Sequence, residues 1–400
     1  MPRFKLMQKL VDKLNLVSRE ILSGLWVIRA FGTQKYEEKR FDGVNRDLTK
    51  TNLFVNRVMT CMMPAMMLTM NAVTVLIVWV GADRINAGGM QVGDLMAFIQ
   101  YTMQIVMSFL MISMMSIMLP RATVSANRIQ EVLETEVEIA DPARPEDFVP
   151  TKTGEVEFQD VSFRYPGADE DVLENITFTA KKGETTAFIG STGSGKSTLV
   201  NLIPRFYDVT KGRILVNGRD VREVTQHELR ARIGYVPQKG VLFSGTIESN
   251  LKYGGDSISD RDMEQAAQIA QATEFIGAKP DGYQSEISQG GGNVSGGQKQ
   301  RLSIARAIAT HPEIYIFDDS FSALDYKTDV ALRKELKEKT AGATVLIVAQ
   351  RISTILHAEQ IIVLDEGKIV GKGTHEGLLQ SCEVYQQIAL SQLSKEELGK

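Results

Sequence analysis

Two stretches of the chain run uncharged for longer than a core helix needs. Val58 to Ala82 reads VMTCMMPAMMLTMNAVTVLIVWVGA, and Leu95 to Leu119 repeats the pattern. At about 1.5 Å per helical residue, each can cross the roughly 30 Å of hydrocarbon in a bilayer, so both are expected to be membrane spans. Asp83, Arg84 and the INAGGMQVG stretch between them read as a short polar turn, which makes the pair a helical hairpin. Basic residues outnumber acidic ones before Val58, and Arg121 and Arg128 follow the second run, so both outer ends are expected on the cytoplasmic side.

Upstream, Ser18 to Gly32 (SREILSGLWVIRAFG) gathers Ile21, Leu22, Leu25, Trp26 and Ile28 into an apolar surface around a glycine. Along the second run Met103, Met107, Met111, Met114 and Met118 recur at helical spacing, which suits lipid contact, helix packing or pliable contact with varied apolar molecules. Downstream, Thr135 to Gly154 (TEVEIADPARPEDFVPTKTG) is acidic and proline-rich, which is linker chemistry. Beyond it the pattern changes. Strand-like runs VEFQDVSF, TTAFIG, RILVNG, RIGYVPQ, IYIFDD, TVLIVAQ and QIIVLD alternate with helical segments, as in an α/β domain with a substantial sheet. The expected organisation is a helical membrane part over 1–134 with spans at about 58–82 and 95–119, a linker over 135–153, and an α/β domain over 154–390.

A length of 400 residues agrees with two units. The net charge of −4 supplies no basic field, so nucleic acid is not an expected partner. Cys61 and Cys382 lie far apart, and neither they nor His227, His311, His357 and His375 show metal-ligand spacing. Residues 1–57 are polar and basic with no secretory h-region.

The strand TTAFIG leads into Gly190, Ser191, Thr192, Gly193, Ser194, Gly195, Lys196, Ser197 and Thr198, then a helical LVNLIPRF. This is a phosphate-binding loop in its strand–loop–helix setting: glycines let backbone N–H groups wrap phosphates, Lys196 reaches the β and γ phosphates, and Ser197 can ligate Mg²⁺. The apolar strand from Ile314 ends in Asp318, which sets a carboxylate beside the same ion. Between them Val294, Ser295, Gly296, Gly297 and Gln298 form a second glycine turn that opens a helix, KQRLSIARAIA.

In the order Tyr165, Gly190–Thr198, Gln238, Val294–Gln298, Asp318 and Ser322–Asp325, the chain resembles the ATP-binding cassette (ABC) family. SGLWVIRAFG, the two spans and SANRIQEVLE look like the last part of an exporter-type membrane domain. The resemblance implies an α-helical transmembrane segment, part of an exporter membrane domain, followed by an α/β P-loop NTPase domain of the ABC type with a helical subdomain. It implies ATP and Mg²⁺, hydrolysis coupled to export of an amphipathic or hydrophobic substrate, and residence in the cell membrane with the cassette cytoplasmic. By the same resemblance Tyr165 would stack on adenine, and Ser197, Gln238 and Asp318 would serve Mg²⁺. Gln238 would also link that ion to the membrane helices, Ser322–Asp325 would touch a facing cassette, and Ser18–Gly32 would be a coupling helix. Because two cassettes of this family sandwich two ATPs, Ser295, Gly296, Gly297 and Gln298 would complete the partner chain's site.

The chain departs from the family at the reacting phosphate. Asp319 stands where the catalytic base is usually glutamate, Gln350 where histidine is usual, and Val294 where the signature turn usually has leucine. With Gln238 they form the candidate catalytic set, and the first two departures predict slow hydrolysis at this chain's own site. They also predict pairing with a second ABC half-transporter. The alternative is a nucleotide-gated regulatory subunit with little hydrolysis of its own. An exporter half brings six spans and only the last two are read here, so a truncated gene or a misplaced start is expected.

Overall fold

Helices in the first unit run well past their apolar stretches. The computed structural model describes residues 2–255, 257–340 and 342–392 and divides into two units, Met1–Thr135 and Glu136–Lys400. In the first, Gln34–Asn86 is a single helix of 53 residues, about 80 Å at 1.5 Å per residue, and Val58–Ala82 is only its uncharged part. Good helix formers such as Glu, Lys and Arg continue the helix N-terminal to that stretch. The partner helix is Val92–Leu133. Gln34–Asn86 and Val92–Ile112 are both long and apolar enough to cross a membrane.

The turn is shorter than the sequence suggests. Asp83 and Arg84 remain helical, because what ends the helix is Gly88 at φ 73, not the charges. Residues 87–91 then turn, and the Asp94 carboxylate accepts the Gln91 N–H at 3.0 Å. The two helices approach closely at Gly81, where a Cβ would sit 2.4 Å from Leu95 Cδ1. Ser18–Gly32 is not one helix: the chain breaks at Gly24 between Pro2–Ser23 and Leu25–Phe31, as glycine's poor helix propensity allows. Within this unit Ile21 and Ile28 are half-buried, while Leu22 and Leu25 are exposed and Trp26 and Phe31 are 81% and 79% exposed. Met103 of the methionine stripe lines a cavity of about 260 Å³, which it shares with Met62, Met66 and Met70. Met107, Met111, Met114 and Met118 are exposed.

In the second unit a six-stranded sheet runs in the order Lys368–Gly373, Gln360–Asp365, Thr185–Gly190, Thr344–Val348, Ile314–Asp318, Ile233–Val236. All neighbours are parallel except the first pair. Its central strands are continuous apolar runs because both faces are buried. Ile316 and Leu346 belong to one core, while Phe317 and Ile347, their successors in sequence, belong to the other. A second, antiparallel sheet joins Leu173–Ala180, Val156–Phe163, Lys211–Val216 and Arg219–Asp220. Helices Ile247–Leu251, Asp260–Ile269, Thr273–Gly277 and Gly296–Ala309 form the helical subdomain.

The stretch read as linker is bonded to this unit for most of its length. Asp141 Oδ1 accepts the backbone N–H of Gln226 at 2.9 Å and its side-chain amide at 3.0 Å. Glu146 N–H donates to Glu223 O at 2.8 Å and Val149 N–H to Asn217 O at 3.0 Å. The guanidinium of Arg232 lies 4.1 Å from the centre of the Phe148 ring. Composition alone does not separate a free acidic, proline-rich segment from a docked one, since the partners are distant in sequence.

Candidate active site

Strand register brings the predicted residues to one edge. Val348 lies opposite Asp318, and Leu364 opposite Gly190, so the loops that follow these parallel strands open on the same C-terminal edge of the sheet, where α/β folds bind ligands. From the first of them, Gly193 and Gly195 adopt φ 88 and 92. A Cβ on Gly195 would also meet Leu173 Cδ2 at 2.7 Å. The loop therefore requires glycine there on two counts.

Lys196 Nζ is held inside this loop, donating to Gly190 O at 2.9 Å, Ser191 O at 2.6 Å and Ser194 Oγ at 3.2 Å. Ser197 Oγ donates to Asp318 Oδ1 at 2.8 Å. That contact gathers a hydroxyl and a carboxylate at one point, the hard-oxygen donor set that suits Mg²⁺. Burial pushes the Asp318 carboxyl above the usual aspartate range, against the hydrogen bond from Ser197. Burial also lowers the Lys196 ammonium, against the charges of Asp319 and Asp318. Each charge therefore gains from a ligand of opposite sign, as a magnesium–phosphate complex offers.

Asp319 occupies the left-handed region at φ 46 and is 7% exposed. Its N–H donates to Val348 O at 3.0 Å, and its carbonyl accepts Ser322 Oγ at 2.9 Å. Two side-chain amides converge on one of its carboxylate oxygens: Oδ2 accepts Gln350 Nε2 at 2.8 Å and Gln238 Nε2 at 3.2 Å. Burial raises this carboxyl, while Gln238 and Ser322 hold it down.

Tyr165 is tied to the far side of the loop through its hydroxyl, 3.0 Å from Thr198 Oγ1. Its ring packs edge-to-face with Phe163 and with Tyr207. Reading along the chain missed Tyr207, which carries no local signal that it will meet Tyr165. Ser295 caps the helix Gly296–Ala309: its Oγ accepts Gln298 N–H at 3.3 Å and its N–H donates to Gln298 Oε1 at 3.1 Å. Among the described residues no hydrogen bond joins Ser295, Gly296, Gly297 or Gln298 to the phosphate-loop cluster. The same helix does hold the Gln238 loop, because the buried Gln300 accepts Gly240 N–H at 3.0 Å and donates to Pro237 O at 3.2 Å. Asp325 caps the helix Tyr326–Lys339 by accepting Thr328 N–H at 3.0 Å, leaving Ser322 and Ala323 exposed.

Comparison with known proteins meets this geometry. The family model described as ABC transporter matches residues 173–322, and that described as ABC transporter transmembrane region matches residues 1–109. An ABC transporter ATP-binding protein of Mycobacterium tuberculosis is 47% identical over 402 residues, covering 100% of this chain and 69% of the relative. The chain belongs to the ABC transporter family. A probable multidrug resistance ABC transporter ATP-binding/permease protein of Bacillus subtilis is 34% identical, over 96% of this chain and 66% of that one. A solved bacterial Atm1-family ABC exporter with ATP bound superposes with a TM-score of 0.82 at 30% identity, over 98% of this chain and 70% of that one.

This ABC transporter chain is thus of the half-transporter type, a helical transmembrane region joined to an ATP-binding cassette. The cassette binds ATP with Mg²⁺ and hydrolyses it in support of transport. The chain is membrane-associated and its ATP-binding domain cytoplasmic. Bound Mg²⁺ would neutralise phosphate charge at Ser197 and Asp318.

Proposed function

We propose that this chain is one half of a heterodimeric exporter: its own phosphate loop retains ATP and turns it over slowly, while its signature turn completes a fast site on a different partner chain. The observation that carries the reading is the pair of amides on Asp319 Oδ2. A general base must reach the proton it abstracts, and an aspartate is shorter than a glutamate by about 1.5 Å. Gln238 and Gln350 further engage the acceptor oxygen a water would need. Gln350 donates a hydrogen bond but has no titratable proton to exchange with a phosphate.

In this reading Tyr165 stacks on adenine and Gly190–Thr198 hold the triphosphate, with Lys196 released from the loop carbonyls toward it. Ser197, Asp318 and Gln238 serve Mg²⁺, and Ser322–Asp325 face the partner. Ser295–Gln298 receive the partner's ATP, and the intact capping pair of Ser295 and Gln298 supports a working donor turn. That turn favours a transporting subunit over a purely regulatory one. Residues 18–32, broken at Gly24 and apolar on the outside, act as the coupling segment. The cargo is hydrophobic or amphipathic, in keeping with the methionine-lined cavity and with the multidrug relative.

The test is ATP turnover of this chain and of a co-expressed half-transporter carrying glutamate and histidine at the corresponding positions, singly and together. Turnover by the pair alone, abolished by neutralising the partner's glutamate, supports the proposal. Full turnover by a homodimer of this chain overturns it.

A further inference from the structure

Three aromatic rings pack into a triangle beside the phosphate loop. Phe163 and Tyr165 lie 4.9 Å apart at 80°, Tyr165 and Tyr207 5.2 Å apart at 87°, and Phe163 and Tyr207 5.6 Å apart at 51°. Phe163 is buried, Tyr165 half-buried, and Tyr207 is the outermost, 37% exposed. Tyr207 is not a mobile surface ring, because its backbone is fixed on both sides. Before it, Arg205 adopts φ 53 and its buried guanidinium grips Asp208 with two hydrogen bonds, at 2.7 and 3.1 Å. After it, Thr210 N–H donates to Ser162 O and Thr210 Oγ1 accepts Arg164 N–H, both at 3.0 Å. These bonds stitch the segment to the end of the strand that delivers Tyr165.

The Tyr165 ring is therefore held at three points: Thr198 Oγ1 at its hydroxyl, and Phe163 and Tyr207, each edge-to-face with it. Thr198 lies in the first turn of the helix Lys196–Leu202, which follows the phosphate loop, so the hydroxyl contact sets the ring's distance from the phosphates. A hydroxyl contact alone leaves the ring free to rock about its long axis, and the perpendicular ring of Tyr207 opposes that rotation. We infer that Tyr207 is a positioning residue for the nucleobase: it fixes the plane of the Tyr165 ring on which a purine stacks, and so sets the part of the affinity that depends on the base. The inference rests on the reading that Tyr165 stacks on adenine.

Edge-to-face aromatic pairs contribute roughly 0.5–1.5 kcal/mol beyond area burial, about two- to tenfold in an equilibrium constant. The experiment compares binding of ATP and of inorganic tripolyphosphate to the full chain in detergent micelles, for the native protein, Tyr207→Ala and Tyr207→Phe. The expected result is ATP binding weakened about two- to tenfold in Tyr207→Ala and restored in Tyr207→Phe, with tripolyphosphate binding unchanged in both. Unchanged tripolyphosphate binding also shows that the loop is folded in the variant. Parallel weakening of both ligands would make Tyr207 a prop for the phosphate loop, and unchanged ATP binding would give it no role; either overturns the inference. Turnover enters none of these readings, so a slow or fast site leaves the result intact.

Discussion

Gln350 and Asp319 are joined side chain to side chain, the amide Nε2 of one donating to Oδ2 of the other at 2.8 Å. The residue at the usual histidine position thus engages the residue at the usual glutamate position directly, so the two departures form a single contact. Replacing one alone leaves a mismatched pair. In the proposed reading, Asp319→Glu restores reach but keeps a partner without a titratable proton, and Gln350→His restores the imidazole beside a carboxylate that is too short. A misplacement of about 1 Å can cost roughly 100-fold in rate, so the double variant is expected to raise turnover at this site by at least about tenfold, and each single variant by much less. The measurement is phosphate release from the assembled pair with the partner's own glutamate neutralised. No gain in the double variant would show that the limit lies elsewhere.

The phosphate loop offers a comparison between two glycines of nearly equal φ. Gly193 has open space where a Cβ would go, whereas at Gly195 a Cβ would press on Leu173 Cδ2 and on the Val172 carbonyl at 3.1 Å. Gly193→Ala then carries backbone strain alone, about 1 kcal/mol, while Gly195→Ala adds overpacking of about 1–3 kcal/mol. Thermal unfolding without nucleotide should show the larger drop for Gly195→Ala. Equal drops would mean that strain, not crowding, dictates glycine at this position.

These features were not equally visible in the sequence. Ile314–Asp318 and Thr344–Val348 are legible because burial on both faces leaves no polar interruption, and the phosphate loop is legible because its chemistry is contiguous. Leu173–Ala180 hides because Asn175, at φ 51, breaks the alternation where the pairing with Val156–Phe163 shifts register. Lys368–Gly373 hides because its two apolar residues, Ile369 and Val370, stand together among lysines and glycines. The lengths of the membrane-unit helices were underread because only their apolar parts differ from ordinary helix. The convergence of Gln238 and Gln350 on one oxygen is a product of strand order and has no local signature. The docking of Asp141 is hidden for the same reason.

That docking has a defined pH range. The Gln226 backbone N–H, followed by the Gln226 side-chain amide, holds the Asp141 carboxyl below its ordinary value. A depressed carboxylate stabilises the bound arrangement above the unfolded value of about 3.9, and the contribution is lost only as pH falls through the lower folded value. Protection of the Gln226 amide from hydrogen exchange, corrected for intrinsic rates, should therefore be flat from about pH 8 to pH 5 and fall below about pH 4. Asp141→Ala should speed its exchange about two- to tenfold at neutral pH, as expected for one lost hydrogen bond. An exchange rate unchanged in Asp141→Ala would mean that the segment is held by Glu146, Phe148 and Val149 without it.

Gln300 is 2% exposed and meets the Gln238 loop with both ends of its amide, at Gly240 N–H and Pro237 O. Gln300→Leu keeps the bulk and strands both backbone groups, at a cost of about 1–3 kcal/mol for each group left buried without a partner. Chemical denaturation should show this loss. The pair's turnover should also fall further than that of an equally destabilised variant elsewhere in the cassette, because among the described residues the loop carrying Gln238 keeps only the bond from Arg306 to Val241 O at 3.0 Å to the helix behind the signature turn. Turnover that merely tracks stability would reduce Gln300 to a packing residue.

Ser295 and Lys196 separate the two jobs proposed for this one chain. Ser295 caps the helix Gly296–Ala309 through Gln298 and makes no bond to the cluster around Lys196. Ser295→Ala removes a cap worth about 0.5–2 kcal/mol of helix stability and an acceptor at the turn proposed to face the partner. Lys196→Met removes the ammonium that this chain's own phosphates need. In the assembled pair, Ser295→Ala should lower total turnover by about tenfold or more, the loss expected for a displaced phosphate-binding turn, and leave ATP bound at this chain's own loop. Lys196→Met should release that ATP with a smaller effect on turnover. Photo-crosslinking of an azido-ATP to each chain, read beside phosphate release, distinguishes the two. Should Ser295→Ala strip ATP from this chain while turnover persists, the signature turn would be serving the site in its own subunit, and the division of labour between the two chains would fall.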